Sequence, residues 1–402
     1  MTRTVALLGA MLVTAVIGTP AAEAQTYTVL YKFLGGQNDG AGPGYGTLIG
    51  DSAGNLYGTT EGGGASGAGV VFKLDKTGET VLYSFKASPT DGGMPMAGLI
   101  RDSAGNLYGT TTAGGASDQG TVFKLDPIGT ETVLYSFTGG GDGGRPYAGL
   151  IQDSAGNLYG TTTTGGVSGG CDGPGCGVVF KLDTTGTETV LHAFTGRADG
   201  GNPRAGLILD SAGNLYGTTA WGGVPGCHGT GCGLIFKLDT TGTETVLHDF
   251  TGADGAMPYA GLILDSAGNL YGTTVHGGAW NEGVVFKLDT TGTETVVHSF
   301  NGGSAGGSDG ATPYAGLIRD PAGNLYGTTE SGGGSSGCNG FGCGAVFKLD
   351  TTGTETVLYS FTEEADGANP LAGLSQDPAG NLYGTASEGG TSNDGVVFKL
   401  QP

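Results

Sequence analysis

A nine-residue motif, DSAGNLYGT, recurs along the chain and constrains the fold more than any other feature. Exact or near copies begin at Asp51, Asp102, Asp153, Asp210, Asp265, Asp320 and Asp377. Consecutive copies are 51 to 57 residues apart. A period of this length indicates a repeat architecture, in which each copy supplies one supersecondary unit and neighbouring units share a core.

Each repeat contains four short segments with the composition of β-strands. In the third repeat they span residues 147–152, 157–162, 178–183 and 188–194. The segments are rich in β-branched and aromatic residues, and Gly, Asp, Asn or Pro bound them. Tight connections such as Asp-Ser-Ala-Gly-Asn predict that the four strands form one antiparallel sheet. We label the strands A to D in chain order and place A innermost, because its Ala and Gly leave room where sheets converge.

Seven such sheets predict an all-β fold, a seven-bladed β-propeller of four-stranded antiparallel blades. Aromatic side chains such as Tyr108 and Phe123 would then fill the space between neighbouring blades. Residues 27–33 form a strand D that no other strand precedes, whereas residues 371–376, 381–385 and 396–400 supply strands A, B and C. We therefore expect the N-terminal strand to complete the last blade, which removes two exposed sheet edges and closes the ring.

The full repeat reads GLIxDxAGNLYGTTxxGG…GxVFKLDxxGTETVLYSF and extends over nearly all of residues 27–400. It resembles the GloVer (Gloeobacter and Verrucomicrobia) tandem repeat of secreted bacterial proteins, a resemblance that implies no particular reaction. The D-x-x-G-N-L-Y core is also similar to the NHL repeat of six- or seven-bladed propellers, at the level of the fold alone.

The first residues have the pattern of an export signal. Arg3 supplies a positive charge, residues 5–17 are apolar, and Ala22-Glu23-Ala24 fits a cleavage site. The apolar run is shorter than the roughly 20 residues of a membrane-spanning helix. We expect residues 1–24 to be a signal peptide and residues 25–402 to form a single domain, secreted to the periplasm or beyond.

The net charge of the chain limits the classes of partner that it is expected to bind. Its net charge is −21, with only 16 Lys and Arg, so its surface should repel phosphate backbones and anionic lipid. This argues against nucleic acid and membrane partners. A carbohydrate or an extracellular protein is the expected partner, and we expect a monomer.

Six cysteines lie in the connections between strands B and C, in pairs with four residues between their members. The pairs are Cys171 with Cys176, Cys227 with Cys232, and Cys338 with Cys343. In an exported protein this pattern predicts three local disulfide bonds. Zinc binding is the alternative, with His228 as a further ligand.

Aspartates also recur in the loop from each strand D to the next strand A. They are Asp39, Asp91, Asp142, Asp199, Asp254, Asp309 and Asp366. A ring of carboxylates suits Ca²⁺, whereas repetition in every blade favours a turn-forming Asp-Gly. The sequence indicates no other cofactor and assigns no metal ligands.

No catalytic motif such as GxSxG or HExxH is present, so no catalytic residue is assigned. His192, His248 and His298 occupy a strand D position where the other repeats have tyrosine, and we interpret them as aromatic packing variants. The tyrosines at that position are Tyr31, Tyr83, Tyr135 and Tyr359.

Residues that depart from the repeat are the better candidates for a site. Trp221, His276 and Trp280 lie in the B-to-C loops of blades 4 and 5, and Arg145 and Arg204 precede strand A in blades 3 and 4. We predict that these five residues line one side of a pocket at the channel mouth, where Trp stacks on a sugar and Arg meets a carboxylate. Simple loop packing is the alternative.

The sequence therefore favours a secreted binding or interaction module. Two alternatives remain: an extracellular polysaccharide lyase or hydrolase acting at the same face, and a purely structural cell-surface protein. An enzyme requires non-repeated ionisable groups within hydrogen-bond reach at the channel mouth, whereas a binding module needs only aromatic and polar surface.

Overall fold

Seven four-stranded antiparallel sheets surround one central cavity in the computed structural model, as the sequence predicts. The structure describes residues 25–402 except positions 169, 172, 225, 230, 304–308 and 336. The predicted export signal, residues 1–24, lies outside the described residues. Each sheet pairs its strands in the order A, B, C, D.

The strands of blades 1 to 7 have the following bounds. Strands A are Ile49–Gly50, Ile100–Arg101, Ile151–Gln152, Ile208–Leu209, Ile263–Leu264, Ile318–Arg319 and Ser375–Gln376. Strands B are Leu56–Thr60, Leu107–Thr111, Leu158–Thr162, Leu215–Thr219, Leu270–Thr274, Leu325–Thr329 and Leu382–Ala386. Strands C are Val70–Asp75, Thr121–Leu125, Val178–Leu182, Leu234–Leu238, Val284–Leu288, Ala345–Leu349 and Val396–Gln401. Strands D are Gly78–Ser84, Glu131–Ser136, Glu188–Ala193, Glu244–Asp249, Glu294–Ser299, Glu355–Ser360 and, for blade 7, Thr26–Lys32.

The loop before each strand A and the B-to-C loop of the same blade lie on one face of the ring, which we call the upper face. These two loops pair with each other. Two-residue ribbons join these loops in blades 1, 2 and 6: Gly40–Ala41 with Gly62–Gly63, Gly92–Gly93 with Ala113–Gly114, and Gly310–Ala311 with Ser331–Gly332. Single β-bridges join them in the other blades. Helical structure in the described part of the chain is limited to two 3₁₀ turns, Cys227–Gly229 and Cys338–Gly340.

The predicted closure of the ring is confirmed. Thr26–Lys32 pairs antiparallel with Val396–Gln401, and Tyr27 lies opposite Leu400. Tyr27 also stacks on Tyr359 of blade 6, with ring centroids 3.8 Å apart. The N-terminal strand therefore completes blade 7 and contacts the preceding blade as well.

Strand A is shorter than the sequence predicts: in blade 3 it has two residues, Ile151–Gln152, instead of residues 147–152. The carbonyl of Ala148 accepts a hydrogen bond of 2.9 Å from the Thr110 hydroxyl of blade 2. Equivalent bonds join five further blade pairs. The segment before strand A is thus bonded to the neighbouring blade, which leaves only two residues for the ladder of its own sheet.

Pairs of buried phenylalanines hold each blade to the next. The ring that follows strand D packs edge-on against a ring of strand C in the next blade, with centroids 5.0 to 5.4 Å apart. The pairs are Phe33 with Phe72, Phe85 with Phe123, Phe137 with Phe180, Phe194 with Phe236, Phe250 with Phe286, Phe300 with Phe347, and Phe361 with Phe398. Tyr108 packs into the next interface, between blades 2 and 3. Edge-to-face geometry adds about 1 kcal/mol per pair to the burial of the rings.

The motif that defines the repeat is the turn between strands A and B. The Asp51 carboxylate accepts hydrogen bonds from the backbone N–H groups of Ala53 and Asn55 and from the Tyr57 hydroxyl. Gly54 has φ of 81°, a conformation that glycine adopts without strain. The motif is therefore explained by turn structure alone.

The aspartates of the D-to-A loops also have structural partners. Asp91 accepts hydrogen bonds from the backbone of Lys86 and Gly92 and from the Tyr83 hydroxyl. Glu131 of the next blade faces this cluster, and its Oε1 is buried with no hydrogen-bond partner among the described residues. Burial, and then the charge of Asp91, raises the pKa of Glu131 to about 7.

Replacing Tyr27 by Ala should test the closure. Loss of the stacked ring in a partly buried interface should cost about 2–4 kcal/mol of unfolding free energy. Leu30→Ala in the same strand is the control, because the Leu30 side chain is 38% exposed and its loss should cost well under about 1 kcal/mol. Urea unfolding measures both, and equal effects would contradict the role given to Tyr27.

Stability should fall as the pH rises through about 7. The pKa of Glu79, Glu131 and Glu188 is raised from 4.5 to about 7 in the folded state, so their contribution is complete below pH 4.5 and is lost as they ionise. Because these groups are half-exposed, we expect a loss on the order of 1 kcal/mol per glutamate. Urea unfolding at a series of pH values measures this loss.

Replacing all three glutamates by Gln should reduce the slope of that pH profile by about half, because the pKa values of three further glutamates at the equivalent position are raised in the same way. Glu364→Gln, at an exposed position, is the control and should retain the wild-type slope. A triple variant with an unchanged slope would show that other groups titrate.

Candidate functional site

The segments that lead into the seven strands A enclose a cavity of about 360 Å³ on the ring axis. One wall position is small in every blade: Thr47, Gly98, Gly149, Gly206, Gly261, Gly316 and Gly373. A Cβ atom at Gly149 would lie 3.1 Å from the carbonyl oxygen of Gly98. Glycine therefore lets neighbouring backbones approach closely enough to close a narrow channel.

In each blade, the residue two positions before this small residue lies at the mouth of the cavity on the upper face. We call these seven residues the rim. The rim positions, in blade order, hold Tyr45, Met96, Tyr147, Arg204, Tyr259, Tyr314 and Leu371. All of them except Met96 line the cavity. The rim is thus the place where the ring departs most clearly from seven-fold repetition.

Arg204 lies between two rim tyrosines. Its Cζ is 4.8 Å from the ring centroid of Tyr259 and 5.3 Å from that of Tyr147, so both rings make cation–π contacts with it. Its Nε donates a 2.9 Å hydrogen bond to Asn202, whose side chain is buried and donates to the Thr163 carbonyl. The guanidinium is therefore fixed, and within the described part of the chain its two terminal nitrogens have no protein acceptor.

The aromatic row continues beyond Arg204. The Tyr259 and Tyr314 rings are 5.6 Å apart, and Tyr45 lies 6.1 Å from Tyr314. Among the described residues, the hydroxyls of Tyr45, Tyr147 and Tyr314 have no hydrogen-bond partner. By contrast, the Tyr of every DxAGNLY motif donates to an aspartate. The rim hydroxyls are therefore free to bind a ligand.

Two carboxyl groups lie near the other side of the rim. Glu61 and Glu330 occupy the same position, directly after strand B, in blades 1 and 6. Burial raises the pKa of both, and the charge of Glu388 adds to the effect on Glu330. Burial, and then the charge of Glu330, raises the pKa of Tyr314 to about 12. The mouth is thus cationic at Arg204 and acidic toward blades 6 and 1.

A strained turn directs the rim residues to the axis. In every blade the residue before the proline of this segment has a left-handed backbone, with φ of 53° to 60°. These residues are Gly42, Met94, Arg145, Asn202, Met257, Thr312 and Asn369. The conformation costs about 1–2 kcal/mol for a non-glycine residue, and backbone hydrogen bonds to neighbouring loops stabilise it.

Of the five residues that we predicted for the pocket, Arg204 lines the cavity and the other four are not among the described residues that do. Arg145 is exposed at the left-handed turn. Trp221 and His276 occupy equivalent positions in blades 4 and 5, where their backbones form β-bridges. Trp280 is 53% exposed. Ligand contact by these four stays a prediction.

The sequence analysis missed the rim tyrosines, although a signal was present. In blades 2 to 6 the segment Pro-x-Ala-Gly-Leu-Ile recurs with a single variable position, and that position is the rim. Tyrosine alone would have attracted no attention in a chain with 16 tyrosines. Comparison of the seven copies, position by position, would have identified it.

All three predicted disulfide bonds are present, in the B-to-C loops of blades 3, 4 and 6. Such bonds indicate an oxidising compartment outside the cytoplasm. The side chain of His228, the alternative zinc ligand, lies outside the described residues. No helix in the described part of the chain has the length and apolar character needed to cross a membrane.

A model of the Gloeobacter/Verrucomicrobia repeat matches residues 18–172, 142–339 and 233–402. The chain belongs to this repeat family. No curated protein matches it. Among solved structures it is similar to a gluconolactonase from Xanthomonas campestris, with 16% identity, a TM-score of 0.41 and coverage of 74% of this chain and 82% of that one.

A second similar structure is a putative gluconolactonase, with 12% identity, a TM-score of 0.44 and coverage of 94% of this chain and 92% of that one. Likeness at these levels gives no information about activity.

Replacing Gly46 by Ala should show how tightly the axis is packed. A Cβ at residue 46 would come within 2.9 Å of the backbone of Ala97, so overpacking should cost about 1–3 kcal/mol. Gly50→Ala, four residues on, is the matched control, because its Cβ would meet only the Asn55 carbonyl at 3.9 Å. Urea unfolding compares the two variants, and equal stability would refute close packing at the axis.

Proposed function

We propose that this protein is a secreted binding module whose ligand is a carbohydrate held at the rim of the central cavity. The observation that carries the proposal is the row Tyr147, Arg204, Tyr259, Tyr314 and Tyr45, which breaks the repeat. The hydroxyls of Tyr45, Tyr147 and Tyr314 and the terminal nitrogens of Arg204 have no protein partner among the described residues. The disulfide bonds and the expected signal peptide support export.

Carbohydrate fits the chemistry of this row. Tyrosine faces stack against the C–H faces of sugar rings, while phenol hydroxyls, the Arg204 guanidinium and the Glu330 carboxyl can bond sugar hydroxyls. The cavity of about 360 Å³ has the size of a small-ligand site, enough for roughly one or two sugar units. The net charge of −21 disfavours polyanions, although Arg204 can accept a single carboxylate.

Glycoside cleavage at the same rim is a second candidate, favoured by one observation. Burial and the charge of Glu388 raise the pKa of Glu330, and a carboxyl that stays protonated at higher pH has the property of a general acid. An active site in a symmetric ring requires residues that are not repeated in every blade. Glu330 and Glu61 meet this requirement, because the other five blades have no glutamate at this position.

A glycan array followed by calorimetry tests the proposal. Tyr259→Ala and Arg204→Met should each weaken binding of the selected glycan by about tenfold or more, because each removes a central contact. Trp280→Ala is the control that separates the rim from the loop contact predicted from the sequence: its side chain is exposed in a loop and does not line the cavity, so a ligand held at the rim alone should keep its affinity. Loss of binding in the control alone would move the site to the loops.

The remaining functions give other results in the same assays. Release of new reducing ends or unsaturated products by the wild type, lost in Glu330→Gln, would establish an enzyme. A wild type that binds no glycan and cleaves none would contradict the carbohydrate proposal and leave an extracellular protein ligand or a purely structural role.

A further inference from the structure

We propose that two outer blade interfaces, one between blades 4 and 5 and one between blades 5 and 6, each bind a divalent transition-metal ion of the zinc type. The ligands are His248, Asp254 and Glu294 at the first interface. They are His298, Asp309 and Glu355 at the second. In each set His comes from strand D, Asp from the D-to-A loop, and Glu from strand D of the next blade.

The donor atoms already lie close together. All three in each set are within 4.8 Å of one another. His248 Nε2 is 3.0 Å from an Asp254 oxygen, and His298 Nε2 is 3.3 Å from an Asp309 oxygen. Two ligands bound to zinc at about 2.1 Å are about 3.4 Å apart in tetrahedral geometry. The three donors therefore have to move from at most 4.8 Å to about 3.4 Å apart to share one ion.

Each His and Asp is held in position by other contacts. His248 packs edge-on against Phe250 at 5.0 Å, and His298 packs in the same way against Phe300 at 4.8 Å. The second oxygen of Asp254 accepts the Thr251 backbone N–H, which fixes the carboxylate. Preorganised ligands of this kind lose little freedom when a metal binds.

The glutamates supply an independent observation. Glu294 Oε1 and Glu355 Oε1 are buried, and neither has a hydrogen-bond partner among the described residues. The equivalent Glu79, Glu131, Glu188 and Glu244 share this property, so the close histidine–aspartate pair beside the glutamate is what distinguishes the two proposed sites. A buried acceptor without a partner is costly, and a cation beside it removes that cost. Imidazole and carboxylate together favour a zinc-type ion over Ca²⁺, which prefers oxygen ligands alone.

Four other blade interfaces have tyrosine in place of this histidine, so they can be compared directly with the two proposed sites. At one of these, the Tyr83 hydroxyl donates a 3.1 Å hydrogen bond to Asp91, as His248 does to Asp254. A protonated phenol is a poor ligand for zinc. Replacing the histidine by tyrosine should therefore remove the metal site without disturbing the fold, because tyrosine occupies the same position at other interfaces of the ring.

Zinc binding to the full chain tests the proposal. Wild-type protein stripped with EDTA, dialysed against micromolar ZnCl₂ and measured by elemental analysis should bind two ions, and its melting temperature should rise. The double variant His248→Tyr with His298→Tyr should bind at least about tenfold more weakly and keep the melting temperature of the metal-free protein. Excess CaCl₂ should not displace the zinc.

His192→Tyr is the matched control, because His192 Nε2 lies 3.7 Å from Asp199, farther than in the proposed sites. This variant should still bind two ions. The proposal is overturned if the wild type binds no zinc, if the double variant binds as well as the wild type, or if calcium displaces the zinc. Loss of binding in His192→Tyr would overturn the assignment to these two interfaces.

Discussion

An edge-to-face contact between two buried phenylalanines, made once at each of seven interfaces, is the interaction on which the structure depends. It fixes the distance and angle between neighbouring sheets, and these determine where the innermost segments meet. The same contact forms on both sides of the blade that the two chain ends build together, because Phe33 packs on Phe72 of blade 1 and Phe398 packs on Phe361, which follows strand D of blade 6. Closure, channel width and rim geometry are therefore consequences of one repeated packing unit.

The repeat gives nearly every polar group of a blade a structural partner, and this makes the exceptions informative. Asp51 and its equivalents bond their own turns, and Asp91 and its equivalents bond loops and either phenols or imidazoles. Thr110 and its equivalents bond the next blade. Once these partners are assigned, few buried or convergent polar groups remain. Among those that remain in the described part of the chain are the rim hydroxyls and the interface glutamates, whose surroundings favour a ligand or a proton.

The sequence predicts what is local and repeated. The strand number, the turns, the disulfide bonds and the missing strand D at the end of the chain follow from patterns within about 50 residues. Contacts between blades are not encoded in such patterns. The hydroxyl of Thr110 shortens strand A from outside its own sheet, and Tyr147, Arg204 and Tyr259 meet only because the ring closes. Trp221 and Trp280 were predicted as ligand contacts because of their residue type, whereas the rim residues can be recognised only by their position in the ring.

The departures from symmetry concentrate on one arc of the ring. Disulfide bonds stiffen the loops of blades 3, 4 and 6, whereas blade 5, between the last two, has none. Blade 5 is also the blade that shares both proposed metal interfaces and carries Tyr259, which packs against Arg204. Metal ions at its two outer edges would hold this blade against its neighbours, which the three disulfide bonds cannot do for any blade, because each closes a loop within one blade. The position of Tyr259 relative to Arg204 would then depend on an interface far from the axis, because a rigid blade transmits a shift at its edge to its innermost strand.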